Sequence, residues 1–142
     1  MVNKIRNLVL WLLVAIFVVL LVSIFGLNER LAIRHIPIPV LIGLAGSFFI
    51  LGILQIVMAV KSRAAKLEKI FFIIAGASAA MIPLSAILHN VVYGLFFSGK
   101  NGDEAVFFIL AVLVCPILFG ISAIGSVICE ICGTKCKDAN VQ

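Results

Sequence analysis

Residues 70–97 read IFFIIAGASAAMIPLSAILHNVVYGLFF, and the placing of this stretch decides the fold. It is long and apolar enough to cross a lipid bilayer, yet it carries Pro83, Ser85, His89, Asn90 and Tyr93. An unpaired polar group in hydrocarbon is costly, so such side chains turn towards protein or water rather than acyl chains. A span of this content is expected inside a bundle, wrapped by other helices.

Three more apolar runs flank it, at about 8–26, 40–60 and 105–132. A helical crossing takes roughly 20 residues, so four runs use nearly the whole chain of 142 and leave no room for a separate soluble domain. The composition agrees, with 64% hydrophobic residues, 12% charged residues and a mean hydropathy of +1.31. Soluble domains have about 45–50% apolar and about 25% charged residues. A transmembrane barrel is disfavoured because its strands alternate apolar and polar, whereas these runs are continuously apolar. The expected fold is all-α: one integral membrane four-helix bundle over 1–142, up-down-up-down, with helices two, three and four forming the core.

The net charge of +5 reads as a membrane signal. Lys4, Arg6, Lys61, Arg63, Lys66, Lys69, Lys135 and Lys137 fall on one side of the spans, and Arg30, Arg34 and Lys100 on the other. The excess of cations places the first side, with both termini, in the cytoplasm of a cell-membrane protein. A nucleic-acid partner is not expected, since these charges flank apolar spans instead of interleaving with aromatics. Run one has no small-x-small cleavage pattern at its end and is read as an uncleaved helix. The expected partners are the lipid bilayer and either further copies of the chain or a larger membrane complex.

Each run has its own character. Run one, with Trp11 near its inner end and almost no small or polar residues, is expected on the outside of the bundle as an anchor. In run two, Ala45, Gly52 and Ala59 recur every seven residues and form a row that a neighbouring backbone can approach closely. Gly43 and Ser47 make a small-xxx-small pair, and Gln55 lies about 60° round the helix from Gly52. Gln55 is either a substrate or ion contact or an interhelical hydrogen bond, the commoner role of glutamine in membranes. The connector KSRAAKLEK, residues 61–69, is a basic topology signal able to rest on anionic headgroups. In run three, AGASAA at 75–80 suits tight packing, and Pro83 should kink the helix. Run four carries Ala111, Cys115, Ser122, Ser126 and Cys129 along one seam, a second kink at Pro116 and a helix stop at Gly133.

Two groups of residues could carry chemistry. Ser85, His89 and Tyr93 follow at i, i+4 and i+8 with Asn90 beside them, a polar track towards the outer boundary. Such a track can relay protons, hold a polar head or simply pin the helix, and His35 of the first loop can approach it from the same side. The other group is CEICGTKC, whose Cys129, Cys132 and Cys136 resemble metal-ligand spacing but lack a local fourth ligand for a structural zinc, Asp138 apart. Reversible acylation beside a helix end is the rival role for these thiols.

Phosphate-cradling loops, the HExxH motif and paired intramembrane carboxylates are all missing, so phosphoryl transfer and intramembrane hydrolysis lack their parts. Packing features dominate. The leading expectation is therefore a non-enzymatic accessory or oligomerising membrane subunit. The alternatives are a small transporter or channel lined by Gln55, Ser85, His89, Asn90 and Tyr93, and a thiol or metal sensor using the inner cysteines.

Overall fold

A computed structural model describes residues 2–25, 37–97 and 105–139, with the side chains of 24–25 and 133–139 outside the description. The polar residues of the first loop (Asn28, Glu29, Arg30, Arg34, His35) and the segment 98–104 also lie outside it.

Helix α1 spans Val2–Phe25 and α2 spans Ile38–Lys61. Helix α3 spans Lys66–Val92 and runs on into a π-helical turn, Tyr93–Phe97. Helix α4 begins with Val106–Ile109, passes through a second π-helical turn at Leu110–Val114 and continues over Cys115–Ala139. No strand occurs among the described residues. All four helices are long and apolar enough to cross a membrane, over Val2–Ser23, Ile38–Lys61, Lys66–Phe97 and Val106–Cys132. Their outer faces carry a belt of exposed Ile, Leu, Val and Phe, including Ile42, Ile50, Leu95 and Ile124. In water such a surface would aggregate, whereas in a bilayer it meets its own kind.

Local sequence explains the helix ends. Proline fits the first turn of α2, where its missing N–H has no partner to lose. Ser62 closes α2, its backbone N–H bonded to the Ala59 carbonyl. The Lys69 ammonium donates to the Val60 carbonyl at 3.1 Å, a cation on the negative end of α2.

Helix α3 sits between α2 and α4. Its AGASAA patch is the contact surface, with Ala75, Gly76, Ser78 and Ala79 buried. Gly52 of α2 meets Gly76 so closely that a Cβ on Gly52 would lie 2.7 Å from the Gly76 carbonyl oxygen and 2.8 Å from the Ala80 nitrogen. Ala59, one period further along the same row, is also buried. On α4 the expected seam is the packed one: Ala111, Cys115, Ser122 and Ser126 are buried and Cys129 half-buried, with Phe119 filling the gap between them. The Ser122 and Ser126 hydroxyls donate back to the carbonyls of Leu118 and Ser122, at 2.6 and 2.8 Å, so neither enters the apolar layer unsatisfied.

Several expectations are corrected. Helix α1 is not a mere outer anchor: Val9, Leu10 and Leu13 are core residues, and Phe17 joins Phe48 and Phe119 in an aromatic trio. Large side chains can lock together by interdigitation where small ones are lacking, with ring centroids here 4.7, 5.5 and 6.2 Å apart. The Gly43–Ser47 pair does not pack against the described residues: both residues are exposed, and a Cβ on Gly43 would meet nothing within 4 Å. Nine residues at about 100° each put Gly43 half a turn away from Gly52. Helix α4 also runs through Gly133, since glycine ends a helix only where a left-handed turn follows.

The prolines behave differently from one another. Helix α3 passes through Pro83, which is buried. At Pro116 the disturbance lies on its N-terminal side, where the π turn Leu110–Val114 absorbs it. The proline ring collides with the carbonyl four residues back, here Val112, and widening the preceding turn relieves that collision.

Candidate functional site

Polar side chains gather at opposite ends of the bundle, with one isolated group between. The tighter gathering centres on Arg6, which is only 2% exposed. Its Nη1 donates to Ser62 Oγ at 3.3 Å, its Nη2 to Glu68 Oε1 at 2.5 Å, and its Nε and Nη2 to Asn7 Oδ1 at 3.2 and 3.1 Å. The guanidinium lies over the Phe72 ring, 3.9 Å from the ring centre. Asn7 in turn donates through Nδ2 to Glu130 Oε1. One side chain of α1 thus reaches the last turn of α2 and the first turn of α3, and its neighbour reaches α4. Planar geometry and five fixed donors suit arginine to this junction, and its aromatic contact occupies the face that makes no hydrogen bonds. The net effect is a four-helix polar clamp.

This clamp was missed in the sequence, where Arg6 counted only as a flanking charge. Its partners lie 56 and 62 residues away, so no local spacing announces them. The available signal was the pair of carboxylates, Glu68 and Glu130, set at helix ends among cations.

At the other end His89 is half-buried, its ring centre 5.5 Å from that of Phe108 on α4 and 6.4 Å from that of Tyr93. The imidazole therefore faces a neighbouring helix. Ser85, one turn deeper, is fully buried, while Tyr93 is 43% exposed. Asn90 is exposed and donates to the Ala86 carbonyl at 2.8 Å. Each i+4 step advances about 40° round a helix, so the track starts in the core and emerges on the surface.

Gln55 stands apart from that track. It is fully buried beside Gly76, and the Gly76-to-His89 separation is about 20 Å along α3 at 1.5 Å per residue. Among the described residues, neither Gln55 Nε2 nor Oε1 has a hydrogen-bond partner, and neither does Ser85 Oγ. Burial without a partner is the costly arrangement for a polar group.

Of the cysteines, Cys115 is buried, Cys129 is half-buried and Cys132 exposed. The side chain of Cys136 lies outside the description. Among the described residues no three His, Cys, Asp or Glu side chains gather as a metal site.

Among the described residues, the grooves between the helices include a larger and a smaller one. The larger, about 510 Å³, runs between α2 and α3 and is lined by Ala45, Gly46, Phe49, Pro83, Ala86 and Asn90 among others. The smaller, about 260 Å³, runs between α1 and α4. The four spans, the apolar belt and the polar groups drawn inward fit a small multi-pass helical membrane protein. Comparison with family models, curated proteins and solved structures gives no match.

Proposed function

We propose that this chain is a non-enzymatic accessory or oligomerising subunit that packs other membrane helices against the α2–α3 side of its bundle, with the Arg6 end in the cytoplasm. One observation carries the reading. Gly43, Gly46 and Ser47 lie exposed on α2, with nothing within 4 Å of a Cβ on either glycine, beside the large groove and the exposed Asn90 carboxamide. Lipid tails gain nothing from small residues, whereas a helix backbone does, because close approach brings dispersion contacts and polar glue into range. The eight cations at or near the Arg6 end support the orientation.

The test is copy number and partner content in native nanodiscs, read by mass. Gly43→Leu and Gly46→Leu are expected to dissociate the assembly without unfolding the chain, since both sites are open. Gly120→Leu, at an equally open site on α4, is the control and should leave the assembly whole. A wild-type chain that is monomeric and partner-free refutes the reading.

A second reading, a small transporter or channel, draws support from the unpartnered Gln55 and Ser85 groups, which a passing polar solute or ion would satisfy. It requires solute flux in proteoliposomes that Gln55→Leu or His89→Ala abolishes. Unchanged flux removes it.

A further inference from the structure

The clamp sorts the cations at its end of the bundle into two kinds. Arg6 is taken by Glu68, and Lys69 by the Val60 carbonyl. Glu130, the other carboxylate of this end, accepts from Asn7. Lys61, Arg63 and Lys66 are exposed and have no ion pair among the described residues. They fall close together: Lys61 closes α2, Arg63 lies in the connector and Lys66 opens α3. The 3.1 Å bond from Lys69 to Val60 shows how near the two helix ends stand. Counted round each helix from the Gly52–Gly76 contact, Val60 and Lys66 both lie at about 80°. The core residues Gln55 and Ala79 lie about 60° to the other side, so Val60 and Lys66 share the outward face of the α2–α3 pair. Ile70, one turn on from Lys66, carries that face into the span, and both aliphatic side chains are exposed. A cationic rim thus stands over an aliphatic strip, matching the charged head and the acyl chain of one lipid.

We propose that this corner binds an anionic phospholipid, its phosphate among Lys61, Arg63 and Lys66 and an acyl chain along Val60 and Ile70. A guanidinium can give two parallel N–H bonds to one phosphate, and the ammonium groups add point charge beside it. With both carboxylates of this end engaged elsewhere, nothing among the described residues competes for the three cations. Each cation close to an anionic headgroup is worth about a fivefold preference, so the three together are worth about a hundredfold. Lys4 is exposed as well, but it stands about 200° round α1 from Arg6, the residue that reaches this connector at Ser62. It therefore carries the same charge at the same end without belonging to the site. The corner lies about 22 Å along α2 from Gly46, so it depends neither on a helix packed there nor on which way the bundle is oriented.

The test uses the full chain in nanodiscs of phosphatidylcholine with a minority of phosphatidylserine, released for native mass measurement. The wild type is expected to retain phosphatidylserine well above its share of the bilayer. Lys66→Gln should lower that enrichment about fivefold, and Lys61→Gln, Arg63→Gln and Lys66→Gln combined should abolish it. Lys4→Gln should leave it in place. The thermal midpoint, followed through Trp11, the single tryptophan of the chain, verifies that each variant keeps its fold. No enrichment in the wild type, enrichment surviving in the triple variant, or an equal loss in Lys4→Gln overturns the site. Soluble glycerophosphoserine, the same head without chains, should fail to displace the retained lipid at matched ionic strength. Displacement overturns the aliphatic half of the site.

Discussion

Arg6 and Glu68, 62 residues apart in the chain, meet at 2.5 Å between Nη2 and Oε1, with the arginine 2% and the glutamate 19% exposed. The pair ties the beginning of α1 to the beginning of α3 at an end where the bundle meets its boundary. Because Glu68 keeps some contact with the surroundings, its loss should cost less than breaking a wholly buried pair, for which about 3–5 kcal/mol is typical. Glu68→Ala is expected to destabilise by about 1.5–3 kcal/mol, the range for hydrogen bonds to charged groups. Arg6→Met with Glu68→Met should recover much of that, since no charge is then stranded. Thermal unfolding in detergent, followed through Trp11, checks both, and a double variant no better than the single one contradicts the account.

Gly76→Ala should be strongly damaging although it adds a single methyl. The new Cβ would sit 2.7 Å from the Gly52 carbonyl oxygen and 2.8 Å from Ile56 Cγ1, and a backbone oxygen cannot swing aside. Overpacking of this kind costs about 1–3 kcal/mol. Gly43→Ala, in open space, should leave the unfolding midpoint where it is. Equal midpoints for the two variants would show that α2 and α3 do not approach as described.

Gln55→Leu is expected to stabilise the isolated chain by about 1–3 kcal/mol, the penalty carried by an unsatisfied buried polar group. Denaturant titration of the purified chain measures it. A loss of stability instead would mean that Gln55 has a partner in the working protein, and that outcome favours the transporter reading.

Phe119→Ala opens a hole in the Phe17–Phe48–Phe119 trio. In a soluble core, phenylalanine truncation costs about 3–5 kcal/mol, partly from transfer out of water and partly from the cavity. Lipid is as apolar as the bundle interior, so only the packing part applies and the cost should fall below that range. A full soluble-type penalty, measured by the same titration, would mean that water reaches this layer during unfolding.

The four apolar spans were readable in the sequence, because continuous hydrophobicity is a property of the chain itself, but their helical ends were not: α1 begins at Val2 rather than near residue 8, α3 at Lys66 rather than 70, and α4 runs on to Ala139. The Gly52–Ala59 row and the α4 seam were readable too, since a shared helical face follows from spacing alone. Arg6 was not readable as a junction: its partners beyond its own helix come from the end of α2 and from α3, and a charge beside a span looks the same whether it faces headgroups or a carboxylate. The Gly43–Ser47 pair shows another limit. Small residues at the right spacing announce a contact without naming the partner, and here no described helix of the chain takes it up. The buried side of α1 escaped because leucine and phenylalanine look alike whether they meet lipid or protein.

The widened turn at Leu110–Val114 has a further meaning when counted in residues. A π-helical turn is an α-helix with one residue too many, so everything on its far side is out of phase by about 100° with the rest of α4. Removing a single residue there would let the helix run true, and it would also swing Phe108 away from the His89 ring it now faces. The aromatic contact at that end is thus a product of one inserted residue upstream of Pro116, and it would be erased by deleting a residue that touches neither ring.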